Sequence, residues 1–123
     1  MNIFRKLKAF LMLYEAVQQA DSARVQYGRR FYVMPTQDGK LVVMDKFDLR
    51  RMKVKHLIDK KCNVETLLHE SFYFTPLGSG LGEINPQDRK TRERAYYRWY
   101  DLTCKLNRID RIRKRKDSAP RAE

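Results

Sequence analysis

Three residues in the middle of the chain carry side chains that commonly bind metal: His56, Cys62 and His69. Zinc sites usually pair ligands two to four residues apart; the gaps here are six and seven. Beyond this stretch the remaining cysteine is the lone Cys104. Core or surface roles are expected for all four, with no metal and no cofactor. Cys62 follows Lys60 and Lys61, cations of the kind that activate a thiol. A nucleophilic cysteine also needs an orienting acid and an oxyanion hole, and no spacing supplies them. Asp38, Asp45 and Asp48 are clustered acids that could hold a metal for backbone cleavage. A tight turn accounts for Asp38 and a helix start for the other two. Gly78-Ser79-Gly80-Leu81-Gly82 stands between a predicted strand and a predicted helix, where phosphate loops occur. No Lys-Ser/Thr closes it, and Glu83 and Asp88 would repel a phosphate, so it reads as a flexible connector. Four chemistries fail on spacing or partners, and the chain reads as a non-enzyme.

The strongest signal is basic. At about 100° per residue, Arg94, Arg98, Lys105, Arg108 and Arg115 fall broadly on one helix face, opposite Trp99 and Leu106, with Tyr97 beside them. Bases on a regular helical face track phosphates, and a tyrosine adds stacking area. Arg111-Ile112-Arg113-Lys114-Arg115-Lys116 extends the row, while Asp101 and Asp110 interrupt it. The rival reading is a solvated face whose cations offset the helix dipole. Arg5, Lys6 and Lys8 form a second basic group beside Ile3, Phe4 and Leu7. Such a helix start either lies on an anionic membrane or packs its apolar side into the protein's own core; the core is expected.

Several elements must position these groups. A first helix is predicted over about Ile3 to Gln26. One apolar row runs Ile3, Leu7, Phe10, Tyr14 and Val17, and a second runs Leu13, Ala16, Ala20 and Ala23. Gly28 suits its C-terminal cap. Phe31–Met34 and Leu41–Met44 have strand composition around an Asp38-Gly39 turn, hence a hairpin. Both faces of the hairpin are apolar, so covers are expected on both sides. Asp45 and Asn63 start two short helices, the segment around Val54 to Ile58 is ambiguous, and Ser71–Thr75 reads as a third strand stopped by Pro76. Asn85-Pro86 opens a long helix to about Lys114, striped by Tyr96, Trp99, Leu102, Leu106 and Ile109. The expected fold is α+β: one domain over residues 1–116, with long N- and C-terminal helices packed on a small antiparallel sheet. A disordered tail is expected over 117–123.

Composition bounds the role. The 123 residues carry a net charge of +12. Residues 91–123 hold eleven bases and five acids, and residues 1–30 hold six and two, whereas residues 61–90 hold three and four. The positive field therefore sits toward the chain ends and attracts polyanions. Two cysteines are too few for a disulfide scaffold, so free thiols in a reducing compartment are expected. The apolar run Ala9–Tyr14 meets Glu15 and falls far short of the ~20 residues of a membrane span. A soluble, unprocessed cytoplasmic chain is expected.

The segments Arg30-Phe31-Tyr32-Val33-Met34-Pro35, Asp38-Gly39-Lys40-Leu41-Val42-Val43-Met44-Asp45 and Leu49-Arg50-Arg51-Met52-Lys53 resemble a group of small, basic proteins of phages and mobile elements of gut bacteria. Phe72-Tyr73-Phe74-Thr75-Pro76, the glycine-rich loop and the basic helix extend the resemblance over roughly residues 1–105. It implies an accessory or virion-associated role, in the host cytoplasm or the virion, and no catalytic residues. The leading expectation is nucleic-acid binding through Arg94, Tyr97, Arg98, Lys105, Arg108, Arg111, Arg113, Lys114, Arg115 and Lys116, helped by Arg5, Lys6 and Lys8. The alternative is a protein–protein module, either a virion component or a host-factor modulator, with an acidic protein surface as partner and assembly into a homo-oligomer or larger complex.

Overall fold

The computed structural model describes residues 2–118, with side chains described through Arg115. In chain order the elements are α1 (Ile3–Tyr27), β1 (Tyr32–Pro35), β2 (Leu41–Met44), α2 (Lys46–Val54), α3 (Val64–Glu70), β3 (Tyr73–Phe74) and α4 (Pro86–Ser118). The strands form one antiparallel sheet in the order β2-β1-β3, with Tyr32 opposite both Met44 and Phe74. This is the α+β architecture expected, with the third strand reduced to two residues.

Local chemistry sets most boundaries. Asn2 caps α1 through the Arg5 amide, and Gly28 ends it in the left-handed conformation with φ +67°. Asp45 and Asp48 cap α2 reciprocally, each carboxylate accepting the other's amide, and Asn63 and Thr66 do the same for α3. The Asn85 side chain accepts from the Gln87 amide across Pro86. The ambiguous stretch after α2 is a helix stop. The His56 amide donates to the Lys53 carbonyl and the Leu57 amide to the Met52 carbonyl. This is the paired bonding of a left-handed cap, with His56 at φ +58° where glycine is usual.

Strand alternation sends Val33, Val43 and Tyr73 to one face of the sheet and Tyr32, Met44 and Phe74 to the other. The Tyr73 hydroxyl donates to Asp21 of α1 at 2.7 Å, which makes the first face the one under α1. α2 packs on β2 and α3 on β1. The two apolar faces of the hairpin are thus covered, apart from the half-exposed Val42 at the hairpin's far end.

Two packing expectations are corrected. In α1 the row that enters the core is Ala9, Leu13, Ala16, Val17 and Ala20, while Ile3, Leu7, Phe10 and Tyr14 stay exposed. Three alanines let the helix lie close on the sheet, so the bulkier row, turned well away from them, meets no cover. In α4, Tyr96 and Tyr100 are buried and Trp99 packs on Phe72, but Leu102, Leu106 and Ile109 remain exposed. By that point the helix touches the hairpin tip, where Gly39 leaves no room for a side chain beside Thr103. α4 also runs further than expected. Asp117 and Ser118 belong to the helix, and residues 119–123, the rest of the expected tail, lie outside the described residues.

Candidate nucleic-acid interface

α1 and α4 run antiparallel. The buried Tyr96 hydroxyl donates to the Ala9 carbonyl at 2.6 Å, and Arg5, nearer the start of α1, reaches Asp101, further along α4. On the solvent side of this pair lies an open groove of about 580 Å³ lined by Lys6, Arg94, Tyr97 and Arg98. Ile3, Leu7 and Phe10 continue its wall. Lys6, Arg94 and Arg98 are exposed, and none joins an ion pair among the described residues. Tyr97 is half-buried and packs edge-on against Tyr96 at 5.2 Å between ring centroids. Burial, helped by the Glu93 charge, raises its hydroxyl above the ordinary tyrosine value. It therefore stays a neutral donor at physiological pH.

The other expected binding residues are arranged differently. Arg5 and Lys105 converge on one carboxylate, Asp101, at 3.4 and 3.1 Å. The hydrogen bond from Lys105 is the main reason Asp101 sits below the usual carboxylate range, with Arg5 contributing. This acid interrupts the basic row by tying its Lys105 to Arg5 of α1. Lys8 is about 200° round α1 from Lys6 and so points away from the groove. Arg108, Arg111 and Arg113 are exposed beyond it, and Lys114 and Arg115 are exposed as well. The Lys116 side chain lies outside the described residues. The groove also has a base that sequence reasoning passed over. Lys90 lines a depression with Gln87, Thr91 and Arg94. Lys90, Arg94 and Arg98 form an i, i+4 row, a spacing that identifies Lys90 without a structure.

Many bases are internal. Arg92 donates through Nη1 to the carbonyls of Leu68 and Ser71, and through Nε to Asp88. Arg24 donates to the Leu77 carbonyl, and Arg30 to those of Thr75 and Gly82. Gly78 lies so close to the Gly28 carbonyl that a Cβ would stand 1.9 Å from its oxygen. The glycine-rich segment, expected to be a flexible connector, is therefore anchored at three carbonyls and packed on the end of α1. Gly78 serves that close approach, whereas Gly80 and Gly82 take positive φ, at +90° and +72°.

The clustered acids also have local duties. Asp38 accepts from the Thr36 hydroxyl in the hairpin turn at 2.5 Å, and the buried Asp45 accepts from Arg29 at 2.6 Å. Both cysteines are free and half-buried. Among the described residues no three His, Cys, Asp or Glu side chains gather as a metal site, and no helix is long and apolar enough to cross a membrane. No protein family, curated protein or solved structure matches the chain.

Proposed function

We propose that the chain is a non-enzymatic nucleic-acid-binding protein whose primary contact is the groove between α1 and α4. The observation that carries this reading is the convergence of Lys6, Arg94 and Arg98 around Tyr97. Three cations without acidic partners among the described residues, on two elements fixed to each other by Tyr96, make a phosphate track with an aromatic edge. Lys90 lengthens the track at one end, and Arg108, Arg111 and Arg113 continue the positive field along α4. An accessory role in a bacterial cytoplasm or a virion accords with the resemblance to phage and mobile-element proteins.

Fluorescence anisotropy with labelled single-stranded DNA, duplex DNA and RNA at low salt tests the proposal. Affinity for at least one probe should fall linearly on log–log axes as salt rises, by about 0.9 for each phosphate neutralised on duplex DNA. Replacing Lys6, Arg94 and Arg98 together by alanine should flatten that slope by about two to three while leaving the circular dichroism spectrum unchanged. Failure of every probe to bind at low salt would sink the reading.

The rival, a protein–protein module, draws support from the exposed apolar residues. Leu102, Leu106, Ile109 and Ile112 make one outward stripe on α4, and α1 carries another. Nucleic acid has little use for either.

A further inference from the structure

α1 presents two apolar faces, and only one of them is in the core. The outward face consists of Ile3, Phe4, Leu7, Phe10, Leu11 and Tyr14, exposed from 48% at Leu11 to 81% at Phe4. Their spacings of three and four place them side by side over about three turns. Phe10 and Tyr14 already stack on each other at 6.2 Å. A contiguous apolar surface of this size marks an interaction site rather than ordinary surface.

We propose that this face is the twofold interface of a homodimer in which the α1 helices of two copies pack antiparallel. The first support is charge. Lys6 and Lys8 flank the N-terminal part of the face and Glu15 lies at its C-terminal end, with no acid in the first turn of the helix. Lys8 and Glu15 stand seven residues, two turns, apart on one flank; both are exposed and neither joins an ion pair among the described residues. Antiparallel copies bring each Glu15 toward the other's basic end and the positive end of its helix dipole. Parallel copies would set like charges side by side. A surface that complements itself only after a twofold rotation is what a closed dimer needs.

The second support is area. A standard interface buries about 800 Å² per partner. A single aromatic side chain can bury about 150–250 Å²; this face offers Phe4, which is largely exposed, and the half-exposed Phe10 and Tyr14, with three aliphatic residues. With Lys8 of each copy level with Glu15 of the other, Leu7 lies within a turn of Tyr14 of the other copy, and Phe10 within a turn of its Leu11 and Tyr14. An anionic bilayer would also take the apolar residues and the bases, but it would oppose Glu15. The dimer does not depend on nucleic-acid binding, and its test contains no nucleic acid. Ile3, Leu7 and Phe10 also wall the groove, so if both readings hold the dimer closes that wall and leaves Lys6, Arg94 and Arg98 at the rim of the paired helices.

Sedimentation velocity of the full chain over a range of concentrations provides the test. The wild type should sediment as a dimer. Leu7→Asp and Leu11→Asp should each give a monomer with an unchanged circular dichroism spectrum, since both side chains are already half in solvent. Glu15→Lys should raise the dimer dissociation constant about tenfold, the order of a close charge pair across an interface. Adding Lys8→Glu to it should recover most of that loss. A wild type that is monomeric throughout overturns the proposal, and so does a double charge swap no tighter than the single one. Cosedimentation of a wild-type monomer with phosphatidylglycerol vesicles, lost in Phe4→Asp, would assign the face to a membrane surface and overturn it equally.

Discussion

The two halves of α4 are built from similar residues and do different things with them. From Pro86 to Tyr100 the helix turns Arg92 inward onto backbone carbonyls and closes an aromatic cluster of Tyr96, Trp99 and Tyr100 with Phe72. From Lys105 to Arg115 every side chain is exposed, Leu106, Ile109 and Ile112 included. The cause is what lies opposite. The first half crosses the end of α3 and the turn into β3, where the Leu68 and Ser71 carbonyls accept from Arg92, and a guanidinium is the side chain best suited to bind several carbonyls at once. The second half meets little beyond the hairpin tip. A net charge of +12 thus mixes two populations of cations, one holding loops in place and one facing solvent.

The sharpest test of that division is Arg92. Its side chain is only 16% exposed, and its loss would strip the charged donor from the Leu68 and Ser71 carbonyls, leaving Leu68 only the Ser71 hydroxyl, and remove one of the two cations stacked over Phe74. Arg92→Ala should destabilise the protein by about 3 kcal/mol, the cost of stripping charged hydrogen bonds from a part-buried site. Arg92→Lys should recover only part, because an ammonium cannot reproduce the fork. Urea unfolding measures both. A loss under about 0.5 kcal/mol, the level of an ordinary surface change, would dissolve the distinction between the two halves.

Arg29 and Asp45 give the next effect, and pH separates its charge from its shape. Burial of Asp45 pushes its carboxyl upward, but the Asp48 amide and the Arg29 guanidinium outweigh this, and the group lies below the usual carboxylate value. A lowered folded value means that ionised Asp45 adds stability above its unfolded pKa, about 3.9, and that the contribution is lost as pH falls through the folded value. Asp45→Asn keeps a good helix cap and removes the ion pair. At neutral pH it should cost about 1–2 kcal/mol, near the low end for a charged hydrogen bond because Arg29 is a third in solvent. The gap between wild type and variant, followed by urea midpoints, should hold down to about pH 4 and shrink below it.

Much of the fold was legible because caps and turns use local chemistry. Asn2 went unnoticed, but Gly28, Asp45, Asn63, Asn85 and the Asp38-Gly39 turn marked element ends close to where the structure has them. What periodicity could not reveal was which apolar row of α1 would find a cover. Both rows have helical spacing, and the choice depends on how closely alanines let the helix approach a sheet formed later in the chain. The site was legible in composition but not in grouping. Arg94, Tyr97 and Arg98 were neighbours on one helix, whereas their meeting with Lys6 depends on the antiparallel α1–α4 pairing. Equally hidden were the carbonyl contacts of Arg24, Arg30 and Arg92, which join residues 21 to 53 positions apart.

The smallest stability effect carries the other half of the comparison. Arg108 and Arg111 stand beyond the core on the exposed half of α4, and neither joins an ion pair among the described residues. Replacing both by alanine removes no ion pair among the described residues and substitutes the best helix former. Thermal unfolding should therefore shift by no more than about 0.5 kcal/mol equivalent, against the large loss expected at Arg92. In the anisotropy assay the same pair should weaken binding by a similar factor for every probe sequence and lower the salt slope by about one to two, as phosphate contacts do. A variant that binds unchanged would confine the interface to the Lys6, Arg94 and Arg98 groove. A variant that unfolds early would mean that the second half of α4 is held by contacts as firm as those of the first.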